Sequence, residues 1–116
     1  MATLVAEPVY YFLPVGGVLR GRAGVRRYYE HLMQEFLPRV EGFALVDEFC
    51  NEHALAQEYD VDVRVGDSLE QHRLVGVLVI GEDRLEGERI YGSERALRLM
   101  LGSLFDELEP AGAPER

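Results

Sequence analysis

Residues 54–91, ALAQEYDVDVRVGDSLEQHRLVGVLVIGEDRLEGERIY, decide the architecture of this chain. Glu58, Asp60, Asp62 and Arg64 alternate there with Tyr59, Val61, Val63 and Val65, the period-two signature of a strand with one wet face and one dry face. The next run, 70–80, carries Leu74, Leu78 and Ile80 on one face and Val75, Val77 and Val79 on the other. Such a strand is buried on both sides. A further strand is expected over 84–91. The separators Gly66-Asp67-Ser68 and Gly81-Glu82-Asp83 suit hairpin connections, so the segment predicts an antiparallel meander.

Working outward, 43–49 reads as another strand, joined to the meander through Asn51-Glu52-His53. A short β-branched and aromatic strand over 9–13 is broken by Pro14 and Gly16-Gly17. Val25, Tyr29, Leu32 and Phe36 recur at helical spacing, predicting an amphipathic helix over 25–37 that Pro38 ends. Ser93 can cap a final helix over 93–108, with Leu97, Leu101, Leu104 and Leu108 as its apolar stripe. No repeat or linker divides the chain, so 1–116 is expected to form a single α+β domain with frayed ends at 1–7 and 110–116.

Composition narrows the function. The net charge of −9 and pI near 4.7 argue against nucleic acid, which is held by clustered cations. All 12 basic residues are arginine, which removes lysine Schiff-base chemistry, and no cofactor is expected. Cys50 has no partner for an internal disulfide, and the 3 histidines lack zinc-ligand spacing. No apolar stretch approaches a membrane span and no leader pattern opens the sequence, so a cytoplasmic location is expected.

Several motifs lie in a telling order. A strand ending in Leu-Pro-Val-Gly precedes Leu19-Arg20-Gly21 and Val25-Arg26-Arg27-Tyr28-Tyr29, and a long meander closes on Glu88-Arg89-Ile90-Tyr91. This order, spanning most of the chain, resembles the SnoaL-like branch of the nuclear transport factor 2-like superfamily. The resemblance implies a strongly curved sheet wrapped around helices to form a cone, with a mostly apolar pocket at its open end. It also implies an N-terminal helix that has no counterpart before residue 9. The opening must then be closed by the C-terminal helix, by a partner subunit or by sequence further upstream. In ketosteroid isomerases of this superfamily an aspartate precedes Pro-Val-Gly and moves the proton; Leu13 stands there instead. Their second carboxyl, which donates to the oxyanion, falls near Gly76. Both positions are thereby marked as pocket positions.

Other candidates come from the residues themselves. Arg89 shares a strand face with Leu85, Gly87 and Tyr91, and a guanidinium there needs either a ligand anion or an internal carboxylate. His72 shares a face with Leu74, Gly76 and Leu78, as a proton carrier or as a strand-end surface group. Tyr11, Tyr59 and Tyr91 can present hydroxyls to a ligand or simply pack. Arg20, Arg22, Arg26 and Arg27 surround the first helix start, where a solvated turn competes with an anion site. Gly66-Asp67-Ser68-Leu69 copies a hydrolase nucleophile block but occupies a hairpin turn, and His31 with Glu35 forms an i,i+4 pair without a third ligand.

Together these readings predict a homodimeric cone for a small apolar or carbonyl-bearing molecule. If it is catalytic, the chemistry is cofactor-independent isomerisation, cyclisation or hydrolysis using Arg89 and His72. The alternative is a ligand-binding or dimerisation module without turnover.

Overall fold

The computed structural model describes residues 4–110. The segments expected to fray lie partly outside that range, and β1 already begins at Leu4 (Leu4–Leu13). Pro14 and Gly16 turn the chain into β2 (Gly17–Arg20), a short strand beyond the break at Gly16-Gly17 that the sequence pattern does not predict. Gly16 takes φ 79, the left-handed backbone that glycine adopts without steric cost. Helix α1 (Gly21–His31) starts four residues earlier than its apolar spacing suggested and buries Val25 and Tyr28. Beyond it the coil widens into a π turn over Leu32–Phe36 and tightens into a 3-10 turn over Leu37–Arg39. Pro38, with no N–H to donate and a ring that crowds the preceding turn, stops a regular α-helix from continuing.

The meander follows as β3 (Val40–Cys50), β4 (Ala54–Val65), β5 (Ser68–Ile80) and β6 (Leu85–Tyr91). Asn51 shapes the first connection by accepting at Oδ1 from the N–H groups of His53 (2.7 Å) and Ala54 (2.9 Å). The 7-stranded sheet runs β3-β4-β5-β6-β1-β2-β7, where β7 is Glu109–Pro110. All pairings are antiparallel except β1 with β6, so the N-terminal strand is inserted beside the end of the meander.

Helix α2 (Glu94–Leu101) begins as expected at Ser93, whose Oγ accepts from the Ala96 N–H at 3.1 Å. The expected long helix over 93–108 divides at Gly102, which takes φ 57 and leads into a 3-10 turn over Gly102–Glu107. A Cβ at that position would overlap the imidazole of His31, whose Nδ1 lies 2.8 Å from the Met100 carbonyl oxygen. This contact joins α1 to α2.

The concave sheet face and the two helices enclose one core: Tyr10, Phe12, Val25, Tyr28, Leu74, Ile90, Leu97 and Leu101 are each at most 2% exposed. Helix α2 is therefore part of the core. At the far end of the concave face Phe43 stays 65% exposed and Leu45 50% exposed, so α2 does not reach over that part of the opening. On the convex face the side chains of Val75, Val77 and Val79 are half-buried.

This partition separates structural from peripheral apolar residues. Leu101→Ala should cost about 2–5 kcal/mol in urea denaturation. Phe43→Ser, by contrast, should stay within about 0.5 kcal/mol of the parent. Equal losses from the two substitutions would show that the open end of the cone is itself a packed core.

Candidate functional site

The site is built where β1, β5 and β6 run side by side. Glu88 pairs across the sheet with Tyr10 of β1 and Leu78 of β5, which turns its side chain to the concave face. Its neighbour on β5 is Gly76, and a Cβ added there would stand 2.8 Å from Glu88 Oε2. Glycine at 76 thus leaves the space into which the carboxyl reaches.

Tyrosines from three elements share the electrostatic environment of this carboxyl: Tyr10 of β1, Tyr28 and Tyr29 of α1, and Tyr59 of β4. The hydroxyls of Tyr10 and Tyr29 lie 2.5 Å apart, so one donates to the other and the acceptor keeps its own proton for a third group. The ring centroids of Tyr28 and Tyr29 are 5.2 Å apart, and those of Tyr59 and Phe43 are 5.1 Å apart. Burial raises the pKa of all four tyrosines, and Tyr59 is pushed up to about 12, so each remains neutral.

Glu88 accepts no hydrogen bond from any described residue, and burial alone pushes its pKa up to about 7. Among the described residues no sealed side-chain nitrogen or oxygen lacks a partner, so the carboxyl keeps contact with water-accessible space. A half-buried carboxyl whose pKa is raised toward neutrality is suited to act as acid or base.

The sequence-derived candidates divide between the two faces. Tyr59 and Gly76 join Glu88 on the concave side. Arg89 pairs with Tyr11 and Val77 on the convex face, as Leu13 and Tyr91 pair with each other beside Val75. The cause is an irregularity between β5 and β6: Ile80 pairs with Leu85 but Val79 pairs with Gly87, so the alternation shifts by one residue at Glu86. Leu85 and Glu88 consequently share the concave face, and Arg89 leaves it. Gly87 marked the shift in the sequence, because glycine inside a strand pattern is a sign of a bulge.

His72 does lie on the concave face, opposite Val61, but its Nε2 is 2.9 Å from Glu70 Oε1. Arg95 binds the same carboxylate through two hydrogen bonds of 3.1 Å and 2.7 Å. With Arg95 and His72 beside it, Glu70 is held down at about 2. This cluster ties β5 to the first turn of α2. At the start of α1, Arg27 pairs with Glu107 at 2.8 Å and Arg20 with Glu109 at 3.6 Å. Among the described residues no group of three or more His, Cys, Asp or Glu is placed to hold a metal ion.

A curved, mostly antiparallel sheet closed over two helices is the nuclear transport factor 2-like cone, the fold of SnoaL-like and ketosteroid isomerase-like proteins. Solved structures bear this out. The chain superposes on a nuclear transport factor 2-like protein of unknown function from Cytophaga hutchinsonii with TM-score 0.70 at 12% identity, covering 79% of this chain and 80% of that one. A SnoaL-like polyketide cyclase candidate from Jannaschia gives TM-score 0.67 at 10% identity, over 97% of this chain and 76% of that one. A ketosteroid isomerase-like protein from Catenulispora acidiphila, in complex with trimethylamine, gives TM-score 0.64 at 11% identity, over 87% and 78%. No family model and no curated protein matches the chain.

The raised pKa of Glu88 has a signature in stability. Its carboxyl holds a proton in the folded state up to about pH 7, whereas the unfolded chain releases it near 4.5. Stability from this group is therefore full below pH 4.5 and is lost as pH rises to about 7, a change of about 3 kcal/mol. Glu88→Gln should remove that decline and be the more stable protein at about pH 8. Parallel stability–pH curves for the two proteins would show that the carboxyl is solvated.

Proposed function

We propose that this chain is a small-molecule pocket protein whose reacting group is Glu88, performing cofactor-independent acid–base chemistry of the isomerase, cyclase or hydrolase type on a small, largely apolar molecule. The observation that carries this reading is the unpartnered carboxyl on the concave face, open to the interior and walled by tyrosines. Glu88 takes a proton from the bound molecule or returns one to it. The spare hydroxyl proton of the Tyr10–Tyr29 pair donates to an oxygen on which charge develops. Leu13 supplies no proton acceptor on the first strand. Gly76, the position that the family resemblance marks for a carboxyl, receives one from the neighbouring strand instead.

A generic carbon acid tests this without knowledge of the natural substrate. The base-promoted ring opening of 5-nitrobenzisoxazole, a small apolar probe, should be accelerated by the protein, with a rate that climbs as pH rises through about 7. Glu88→Gln should lose about 100-fold or more. A Gln variant as fast as the parent would remove Glu88 from the chemistry. The second reading, a binding module without turnover, draws on the Tyr10–Tyr29 hydrogen bond, which spends one of the two hydroxyl protons inside the pair. Probe binding without ring opening would select it.

The same proposal includes a homodimer through the convex face. Val75, Val77 and Val79 are half-buried in the single chain, with Tyr91 beside Val75 and Arg89 between Val77 and Tyr11, a largely apolar strip of the kind that a second copy covers. Sedimentation equilibrium at micromolar concentration should give twice the 13.1 kDa chain mass, and Val77→Glu should return it to one. A parent protein that sediments as a monomer would exclude this interface.

A further inference from the structure

The charge inventory of the pocket points to a ligand class. The titratable groups that face Glu88 are Tyr10 from β1, Tyr28 and Tyr29 from α1, and Tyr59 from β4; none carries positive charge. Gly76 and Leu78 complete its surroundings on β5. The basic groups of strand β6 and of the Glu70 cluster are committed elsewhere. His72 and Arg95 share Glu70, and Arg89 projects from the opposite face. When Glu88 ionises, its charge has no counter-ion from the described residues.

Tyr10 and Tyr28 are buried behind the carboxyl, whereas Tyr29 and Tyr59 are half-exposed and can touch an occupant. Phe43, packed on Tyr59 and largely exposed, extends this aromatic wall to the mouth. Aromatic faces attract cations electrostatically, most strongly where water is excluded. A carboxylate beside such faces repels anionic ligands and leaves neutral ones without ionic partners.

We infer that the molecule this pocket takes is a small organic cation, a tertiary or quaternary ammonium compound, seated against the Glu88 carboxylate between Tyr29 and Tyr59. The inference rests on the reading of Glu88 as the group that meets the ligand, and it adds the ligand's charge. Such a cation supplies the missing counter-ion. Its binding is then linked to ionisation of Glu88.

Choline and its uncharged carbon isostere 3,3-dimethylbutan-1-ol, alike in shape and opposite in what they ask of the carboxyl, provide the test on the full chain by calorimetry or chemical-shift titration. At about pH 8.5 choline should bind at least about tenfold more tightly than the isostere. That preference should shrink by about tenfold per pH unit below about 7 and vanish near pH 5.5. Glu88→Gln, nearly isosteric and neutral, should abolish the preference at every pH while keeping affinity for the isostere, which also reports that the variant is folded. Tyr59→Leu should weaken choline by about three- to fivefold and spare the isostere.

Equal or tighter binding of the isostere, or no binding of choline at about 100 mM, would overturn the inference. If ring opening of the benzisoxazole still depends on Glu88 in that case, the acid–base reading stands and only the cation falls. Choline binding with the expected pH dependence but no ring opening supports the cation and removes the catalysis.

Discussion

A side chain at position 87 would overlap the carbonyl of Val9, and the rest of the site follows from that steric limit. The close approach of β1 to β6 there is possible only for glycine, which takes φ 156 in this place. The irregular pairing that surrounds it, from Leu4–Leu85 to Val9–Gly87 on one side and from Ile80–Leu85 to Val79–Gly87 on the other, advances the alternation of β6 by one residue. Glu88 is thereby turned inward onto Tyr10, and Arg89 outward onto Tyr11. Without the irregularity the cone would enclose a guanidinium and expose the carboxyl.

Electrostatics then act on what the backbone has placed. Arg73 is bound by Asp60 and Glu58, Arg64 by Glu41, Arg27 by Glu107, and Arg98 by Glu94 while it also stacks on Phe105 at 4.1 Å. These exposed pairs each contribute little to stability in water. Their effect on function is indirect, because they keep cations engaged on the outside of an acidic chain. The interior carboxyl is left to be governed by burial, and its proton affinity rises accordingly.

Much of this was legible in the residues. The β4–β5 pairing runs through twelve consecutive partners without a break, so the alternation of Tyr59, Val61 and Val63 and of His72, Leu74 and Gly76 projects faithfully onto the concave face. Tyr59 was found for that reason, and Gly76 through the family resemblance. Arg89 and Tyr91 were grouped with the pocket because a seven-residue strand such as β6 is too short for its own periodicity to reveal a change of phase, and Leu13 because the family resemblance marks its position. Bulges are fixed by which strand pairs with which, a non-local matter. The same holds for β2, whose four residues gain their conformation from β1 and β7, and for the end of α2, where Gly102 makes room for a histidine 71 positions earlier in the chain.

Strand β3 carries a different kind of consequence. It lies at one end of the sheet order, so its outer hydrogen-bonding edge has no partner strand among the described residues, and Phe43, Leu45, Val46 and Phe49 are exposed along it. Such an edge is a template for further strands. Two irregularities in its pairing with β4 and the carboxylates of Glu41, Asp47 and Glu48 interrupt that template. Neither device holds the core together or touches Glu88. The composition of this segment therefore bears on whether copies of the chain stay dispersed from one another, a requirement independent of whatever molecule the cone receives.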